Sequence, residues 1–294
     1  MIDIFNTSIE LGLLYAPAVL GVFLTFRILN FPDLTVDGSF VSGAAASAIA
    51  IRYGIPGIPA LGIGFIAGLL GGCLTAFLHT RLKIGKILSG ILSVSMLYTI
   101  NLRLMRGPNV SLLNEGGIIG FFSAPMNHLL VIIFLLLIVI LTKLFIDWFL
   151  QTEFGLFLRA TGDNESTAKS FSINTNVTKF IAISLSNGLV GLSGALIAQF
   201  QGFADINMGV GSVVLILAAL MLGETIIYNN KVSTTTLTII VGSILYQLII
   251  NIALRLGLGG SDLKFITAVI VITALVMGNN KKKISFYGKK IFNN

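Results

Sequence analysis

Long uncharged apolar runs separated by short polar breaks make up almost the whole chain. The runs at 11–26, 38–51, 53–78, 87–102, 116–142, 180–204, 206–223, 232–254 and 265–280 contain no Asp, Glu, Lys or Arg. A helix that crosses a bilayer needs about 20 mostly apolar residues. The pattern predicts nine spans, of which two (about 34–52 and 208–227) are short and broken. The fold class expected is an all-α polytopic membrane protein, with residues 1–294 forming one domain in the lipid bilayer.

Composition agrees with the pattern: 11% of residues are charged and 55% hydrophobic, whereas a soluble domain carries about 25% charged residues. Asp3 and Glu10 precede the first run without a basic cluster, so the N-terminus reads as a first span and not as a cleaved signal peptide. Fourteen cations (Arg27, Arg81, Lys83, Lys86, Lys143, Arg159, Lys169, Lys179, Lys231, Lys281, Lys282, Lys283, Lys289 and Lys290) fall on one side of a nine-span arrangement. Five (Arg52, Arg103, Arg106, Arg255 and Lys264) fall on the other. The positive-inside rule then places the N-terminus outside and the basic tail 279–294 in the cytoplasm. The net charge of +7 is accounted for by topology and anionic headgroups, and a nucleic-acid partner is not expected. Cys73 is the only cysteine and reads as ordinary packing.

Two stretches resemble each other: Phe31-Pro32-Asp33-Leu34-Thr35-Val36-Asp37-Gly38-Ser39 and Phe203-Ala204-Asp205-Ile206-Asn207-Met208-Gly209-Val210-Gly211-Ser212. Each follows a long span and precedes a shorter one, and five spans separate their leading helices. Halves at about 9–126 and 178–280 would thus be an inverted-topology repeat, of the kind that places solute near the midplane at broken helices. Pro32 ends a helix, and Asp33, Thr35, Asp205 and Asn207 are caps for the helices that restart. Asp33 and Asp205 either cap in headgroup water or line a pathway. Asp37 is one turn into its helix, where a carboxylate must face protein or water. Asn187, Gln199 and Gln201 complete the candidate translocation pathway; for Asn187 and Gln199 the alternative is hydrogen bonding between helices. Glycines at 64, 68 and 72 and at 188, 191 and 194 mark close helix packing, either inside the bundle or along a homodimer seam.

The segment 152–179 is too polar and too long for a simple turn. Thr152 or Glu153 starts a helix. Leu156, Phe157, Ala160 and Ala168 form an apolar stripe beside Arg159, Asp163, Asn164, Glu165 and Lys169. Gly162-Asp163-Asn164 marks a turn, and Asn164 or Ser166 caps a second short helix to about Phe171. Such an amphipathic helix fits a groove on a partner; the alternative reading is a solvated loop with a few caps. Arg159 and Asp163, four residues apart, are a natural helical pair.

The pattern Thr152-x-x-Gly155-x-x-x-Arg159-Ala160-Thr161-Gly162-Asp163-Asn164, followed by Ala168 and Ser172-Ile173-Asn174, resembles the cytoplasmic coupling loop of a family of bacterial ABC importer permeases. It is the family of the branched-chain amino-acid and ribose permeases. The likeness is closest to its tryptophan/tyrosine-type uncharacterised permease subgroup, where the stretch 31–40 has a counterpart after the first span. Ser172 departs from the pattern, which more usually has glycine there. The resemblance implies a homodimer in the inner membrane, with an ATP-binding cassette subunit on the cytoplasmic loops and a substrate-binding protein outside. It also implies that Thr152, Gly155, Arg159, Ala160, Gly162, Asp163 and Asn164 couple to the motor. The cargo implied is a small solute, an amino acid and in this subgroup an aromatic one.

No G-x-x-x-x-G-K-[ST] phosphate loop is present, so ATP hydrolysis is expected on another subunit, with no cofactor or metal here. An ion-coupled secondary transporter using Asp33, Asp37 and Asp205 is the rival reading. A membrane enzyme is weaker, since His79 and His128 make no H-E-x-x-H motif and no G-x-S-x-G elbow occurs.

Overall fold

A computed structural model describes residues 2–112, 128–226, 232–256, 265–270 and 272–273. The tail 279–294, Lys231, Lys264, the first part of the fifth run, half of the ninth and the side chain of His128 lie outside the described residues. In chain order the elements are α1 (Ile2–Val22), a π-helical turn (Phe23–Ile28), α2 (Val36–Arg52), α3 (Gly57–Thr80), α4 (Lys86–Met105) and β1 (Asn109–Ser111). After these come α5 (His128–Gln151), α6 (Glu153–Asp163), α7 (Glu165–Ser170), α8 (Thr175–Gln201), β2 (Phe203–Asp205), α9 (Ser212–Ile226) and α10 (Val232–Arg255).

Among the described residues, six segments are long and apolar enough to cross a membrane: Phe5–Ile28, Gly57–Thr80, Lys86–Met105, Leu129–Gln151, Thr175–Gln201 and Val232–Arg255. Helices α2, with 17 residues, and α9, with 15, are shorter; they occupy the two broken runs. The second break differs from the first in kind. Phe203–Asp205 pairs antiparallel with Asn109–Ser111, with Asn109 opposite Asp205, a ladder that no alternation in the sequence announces.

Helices α1 and α8 form the buried centre. Pro17 interrupts the hydrogen bonding of α1, and a hydroxyl from α8 repairs it. Ser193 Oγ accepts from Ala18 N at 3.0 Å and donates to the Leu14 carbonyl at 2.8 Å. Two turns further, Ser186 Oγ donates to the Gly21 carbonyl at 2.7 Å. These contacts set α1 antiparallel to α8. Ser243 donating to Gly12 O and Asn251 donating to Ser8 Oγ set it antiparallel to α10. Such bonds matter in lipid, where freed backbone groups have no water to satisfy them.

The glycines of α3 and α8 are spent inside the chain. A Cβ on Gly68 would overlap the Asn187 carbonyl oxygen, and one on Gly72 would come within 2.7 Å of Asn187 Cβ. Gly43 of α2 abuts Gly191 in the same way, and Gly194 abuts the Phe40 carbonyl. The homodimer-seam reading of these glycines fails because their faces are already covered by α2, α3 and α8. The outer faces of α4 and α5 are apolar and open, with Ile87, Ile91, Tyr98, Leu129, Ile133, Leu137 and Leu141 exposed. A bilayer covers such a surface.

The registers collect the end of α1, the start of α4, the end of α5, all of α6 and α7 and the starts of α8 and α10 at one end of the bundle. The β1–β2 ladder and Arg52 mark the other.

Candidate functional site

The polar hairpin is built by three helix caps. Thr152 Oγ1 accepts from Gly155 N at 3.3 Å and starts α6; Asn164 Oδ1 accepts from Thr167 N at 3.0 Å and starts α7; Asn174 Oδ1 accepts from Val177 N at 3.3 Å and starts α8. Asn164 is thus the cap, and Ser166 lies within α7. The expected turn at Gly162-Asp163-Asn164 narrows to Asn164 alone, because α6 runs through Gly162 and Asp163. Gly162 is needed for contact instead: a Cβ there would overlap the Ile28 carbonyl oxygen. Ser172 has φ of 60°, a left-handed conformation that suits glycine, so its departure from the family pattern occurs at a position where glycine would be unstrained.

The expected apolar stripe is divided. Helix α6 buries Gly155, Leu158 and Thr161 at a spacing of three residues; Gly155 lies against Leu150 of α5, and the helix packs on α8 as well. Ala168 is also buried, but Leu156 and Phe157 point outward at 56% and 41% exposure, and Phe171 is 75% exposed. Arg159 turns back into the protein: its Nη2 donates to the Leu150 carbonyl, one of the acceptors left over at the end of α5. It therefore does not pair with Asp163, which is exposed. Ala160 is half-buried. Glu165 ties the hairpin to α8 through Lys179 at 2.6 Å, with Lys169 at 2.9 Å and the Thr175 hydroxyl at 3.3 Å. The Lys179 hydrogen bond holds the Glu165 carboxyl down at about 2.

The two aspartates that align in the repeated stretches make the same local turn. Asp33 Oδ1 accepts from Thr35 N at 2.9 Å, and Asp205 Oδ1 accepts from Asn207 N at 2.7 Å. Neither caps the helix that follows. Instead α9 is capped across the bundle, where Asp37 Oδ1 accepts from Ser212 Oγ at 2.8 Å and Val213 N at 2.9 Å, and Oδ2 from Gly211 N at 3.2 Å. A carboxylate at a helix N-terminus meets both free donors and the positive end of the dipole. The same aspartate sits in the first turn of its own helix α2.

Of the pathway candidates, Asp33 and Asn187 come together: Asn187 Nδ2 donates to Asp33 Oδ2 at 2.6 Å in a buried contact. Thr35 and Thr75 share a hydroxyl bond of 2.6 Å beside it. Gln199 donates to Ser47 Oγ and the Gly57 carbonyl near the other end, which is the helix-to-helix role. Gln201 is exposed at the end of α8. Among the described residues no three His, Cys, Asp or Glu could hold a metal.

Several polar contacts at the hairpin end were not anticipated. Lys143 meets Asp147 at 2.5 Å, and Asp147 accepts from the Thr236 hydroxyl at 2.7 Å, so α5 is bound to α10. Arg27 pairs with Glu224 at 2.9 Å, joining the π-turn to α9. Asn30 donates to the Gly162 carbonyl at 3.0 Å and accepts from Lys86 Nζ at 3.1 Å. The Lys143–Asp147 spacing of four residues was the one visible signal; the other partners are more than 50 residues apart.

Residues 4–277 match the family described as branched-chain amino acid transport system, permease component. A tyrosine transport system permease protein from Clostridioides difficile is 38% identical over 279 residues, covering 95% of this chain and 91% of the relative. The ribose import permease of Escherichia coli is 21% identical over 90% of this chain and 83% of its own. An ABC transporter of the metal-chelate type, solved in an inward-facing conformation, superposes with a TM-score of 0.52 at 18% identity, covering 95% of this chain and 85% of that one.

Proposed function

This chain belongs to the family of permease components of branched-chain amino acid transport systems, and from that premise we propose that it is the membrane subunit of an ATP-driven importer. In this reading it passes an amino acid, of aromatic type, from an external substrate-binding protein into the cytoplasm. Two copies form the pathway, and each docks an ATP-binding subunit on its α6–α7 hairpin. The single observation that carries the reading is the form of that hairpin. It is fixed to the bundle by caps and by Glu165–Lys179, yet it leaves Leu156, Phe157 and Phe171 uncovered. Stranded apolar side chains at a polar membrane end suit a protein partner.

Orientation follows from the same end. It collects Arg27, Lys86, Lys143, Arg159, Lys169 and Lys179, which is where a cytoplasmic surface belongs; the N-terminus is then outside. The matched aspartate turns at Asp33 and Asp205 support an inverted repeat within a nine-span plan. The aromatic cargo rests on the tyrosine permease relative.

An ion-coupled carrier is disfavoured by family membership and has no use for the hairpin. The test is reconstitution in vesicles with the ATP-binding and substrate-binding subunits, following labelled L-tyrosine. Uptake should require ATP inside the vesicle compartment that holds the motor and survive collapse of ion gradients. Uptake that follows an ion gradient without ATP overturns the pump reading.

A further inference from the structure

We infer that Asn30 and Gly162 are the positioning residues through which movement of α6 reaches the interrupted segment before α2. The inference rests on α6 being the motor-docking element, and it adds the route by which that element would act.

The end of α1 is mechanically unusual. The six residues that follow it, Phe23–Ile28, wind as a π-helix, a form that appears mostly as single turns and often at functional sites. Three groups grip that turn and the bend that follows it. Gly162 of α6 lies against the Ile28 carbonyl with no room for a side chain. Asn30, at φ of 52°, donates to the Gly162 carbonyl at 3.0 Å, and its own carbonyl accepts from Lys86 of α4 at 3.1 Å. Arg27 holds Glu224 of α9 at 2.9 Å.

Three residues beyond Asn30, Asp33 is buried and bonded to Asn187 of α8 at 2.6 Å, and α2 begins at Val36. The path from α6 to this bond therefore contains a close backbone contact, one amide hydrogen bond and a short irregular segment. Packed contacts of this kind pass displacement because they cannot be compressed. Helix α6 also packs on α5, where Gly155 abuts the Leu150 backbone and Arg159 donates to the Leu150 carbonyl, and on α8. The contact of Gly162 with Ile28 is the one that leads into the segment before α2. A residue in the left-handed conformation between two hydrogen bonds is a natural place for the local backbone to change state.

Energetic coupling is reciprocal, so the route can be tested without knowing the cargo. The complex of this chain with its ATP-binding subunit is purified, and its ATP hydrolysis is measured for Asp33→Asn, Asn30→Ala and the double variant. Asp33→Asn is nearly isosteric. Its carbonyl oxygen can still accept from Thr35 N, but its amide then faces the Asn187 Nδ2 donor, so the bond from Asn187 is lost unless that amide turns over and gives up the Ile183 carbonyl. Asp33→Asn should change the hydrolysis rate by about fivefold or more, as typical couplings do, and Asn30→Ala should erase that change while the two subunits still copurify. Gly162→Ala should erase it likewise, and Lys86→Ala should weaken it. Multiplicative effects of Asp33→Asn and Asn30→Ala, or no effect of Asp33→Asn, overturn the route. Failure of the unaltered chain to bind or stimulate the ATP-binding subunit is a different result: it removes the docking reading, and this inference with it.

Discussion

Gly62 and Gly68 occupy the same helix with opposite surroundings, and they separate the two roles that glycine has in a membrane helix. Nothing lies within 4 Å of where a Gly62 side chain would begin, whereas a Gly68 side chain would strike the Asn187 carbonyl oxygen. Gly68→Ala should therefore destabilise the bundle by about 1–3 kcal/mol, the usual cost of an overpacked core. Gly62→Ala should stay within about 0.5 kcal/mol of the parent. The temperature at which each variant is lost from the monodisperse fraction in detergent measures the difference. Arg159 illustrates a limit of reading charge from sequence. Its type and position fit a solvent-facing contact, yet its guanidinium is taken up by the Leu150 carbonyl, because the end of α5 leaves carbonyls that only a nearby donor can satisfy.

At the scale of elements, the α6–α7 hairpin owes its start points to side chains that the sequence displays: Thr152, Asn164 and Asn174 all cap. Its buried face was less visible, since Leu156, Phe157 and Leu158 are adjacent and only the positions of α5, α8 and the π-turn decide which one goes inside. The tie from α7 to α8 has a pH signature. Glu165 has its folded-state value lowered to about 2 from 4.5, first of all by Lys179. A lowered carboxyl stabilises the fold above the unfolded value and loses that contribution as pH falls through the folded one. The stability of the hairpin should therefore decline between about pH 4.5 and 2, and Glu165→Gln should lack this component while being weaker at pH 7. Thermal midpoints of parent and variant across that range are the measurement. Identical slopes would show that the pair holds nothing. The first of the two breaks was similarly half legible. Pro32 and Asp33 announce an interruption, but the π-turn that precedes it carries no sequence mark.

For the whole molecule, the antiparallel registers and the gathering of cations at one end make a single orientation prediction. In a Cys73→Ser background, Tyr53→Cys at the far end should react with an impermeant maleimide added to intact cells. Phe171→Cys should react only after the membrane is opened. Labelling of position 171 from outside would invert the arrangement and remove the docking surface from the cytoplasm. The sequence by itself determined the membrane class, the two interruptions, the start of the polar hairpin near Thr152 and the family, because burial in lipid and local capping both depend on residues close together in the chain. It left the second cap open between Asn164 and Ser166 and did not single out Asn174. Only the tertiary structure decided that Asp37 caps α9, that Asp33 bonds to Asn187, that a Ser193 hydroxyl mends α1 at Pro17, and that Asn30 and Gly162 meet. These contacts join residues 132 to 176 positions apart, and no local periodicity encodes which helix will lie beside which. That choice is made by the close fit of small residues between α2, α3 and α8, which only the packed bundle reveals.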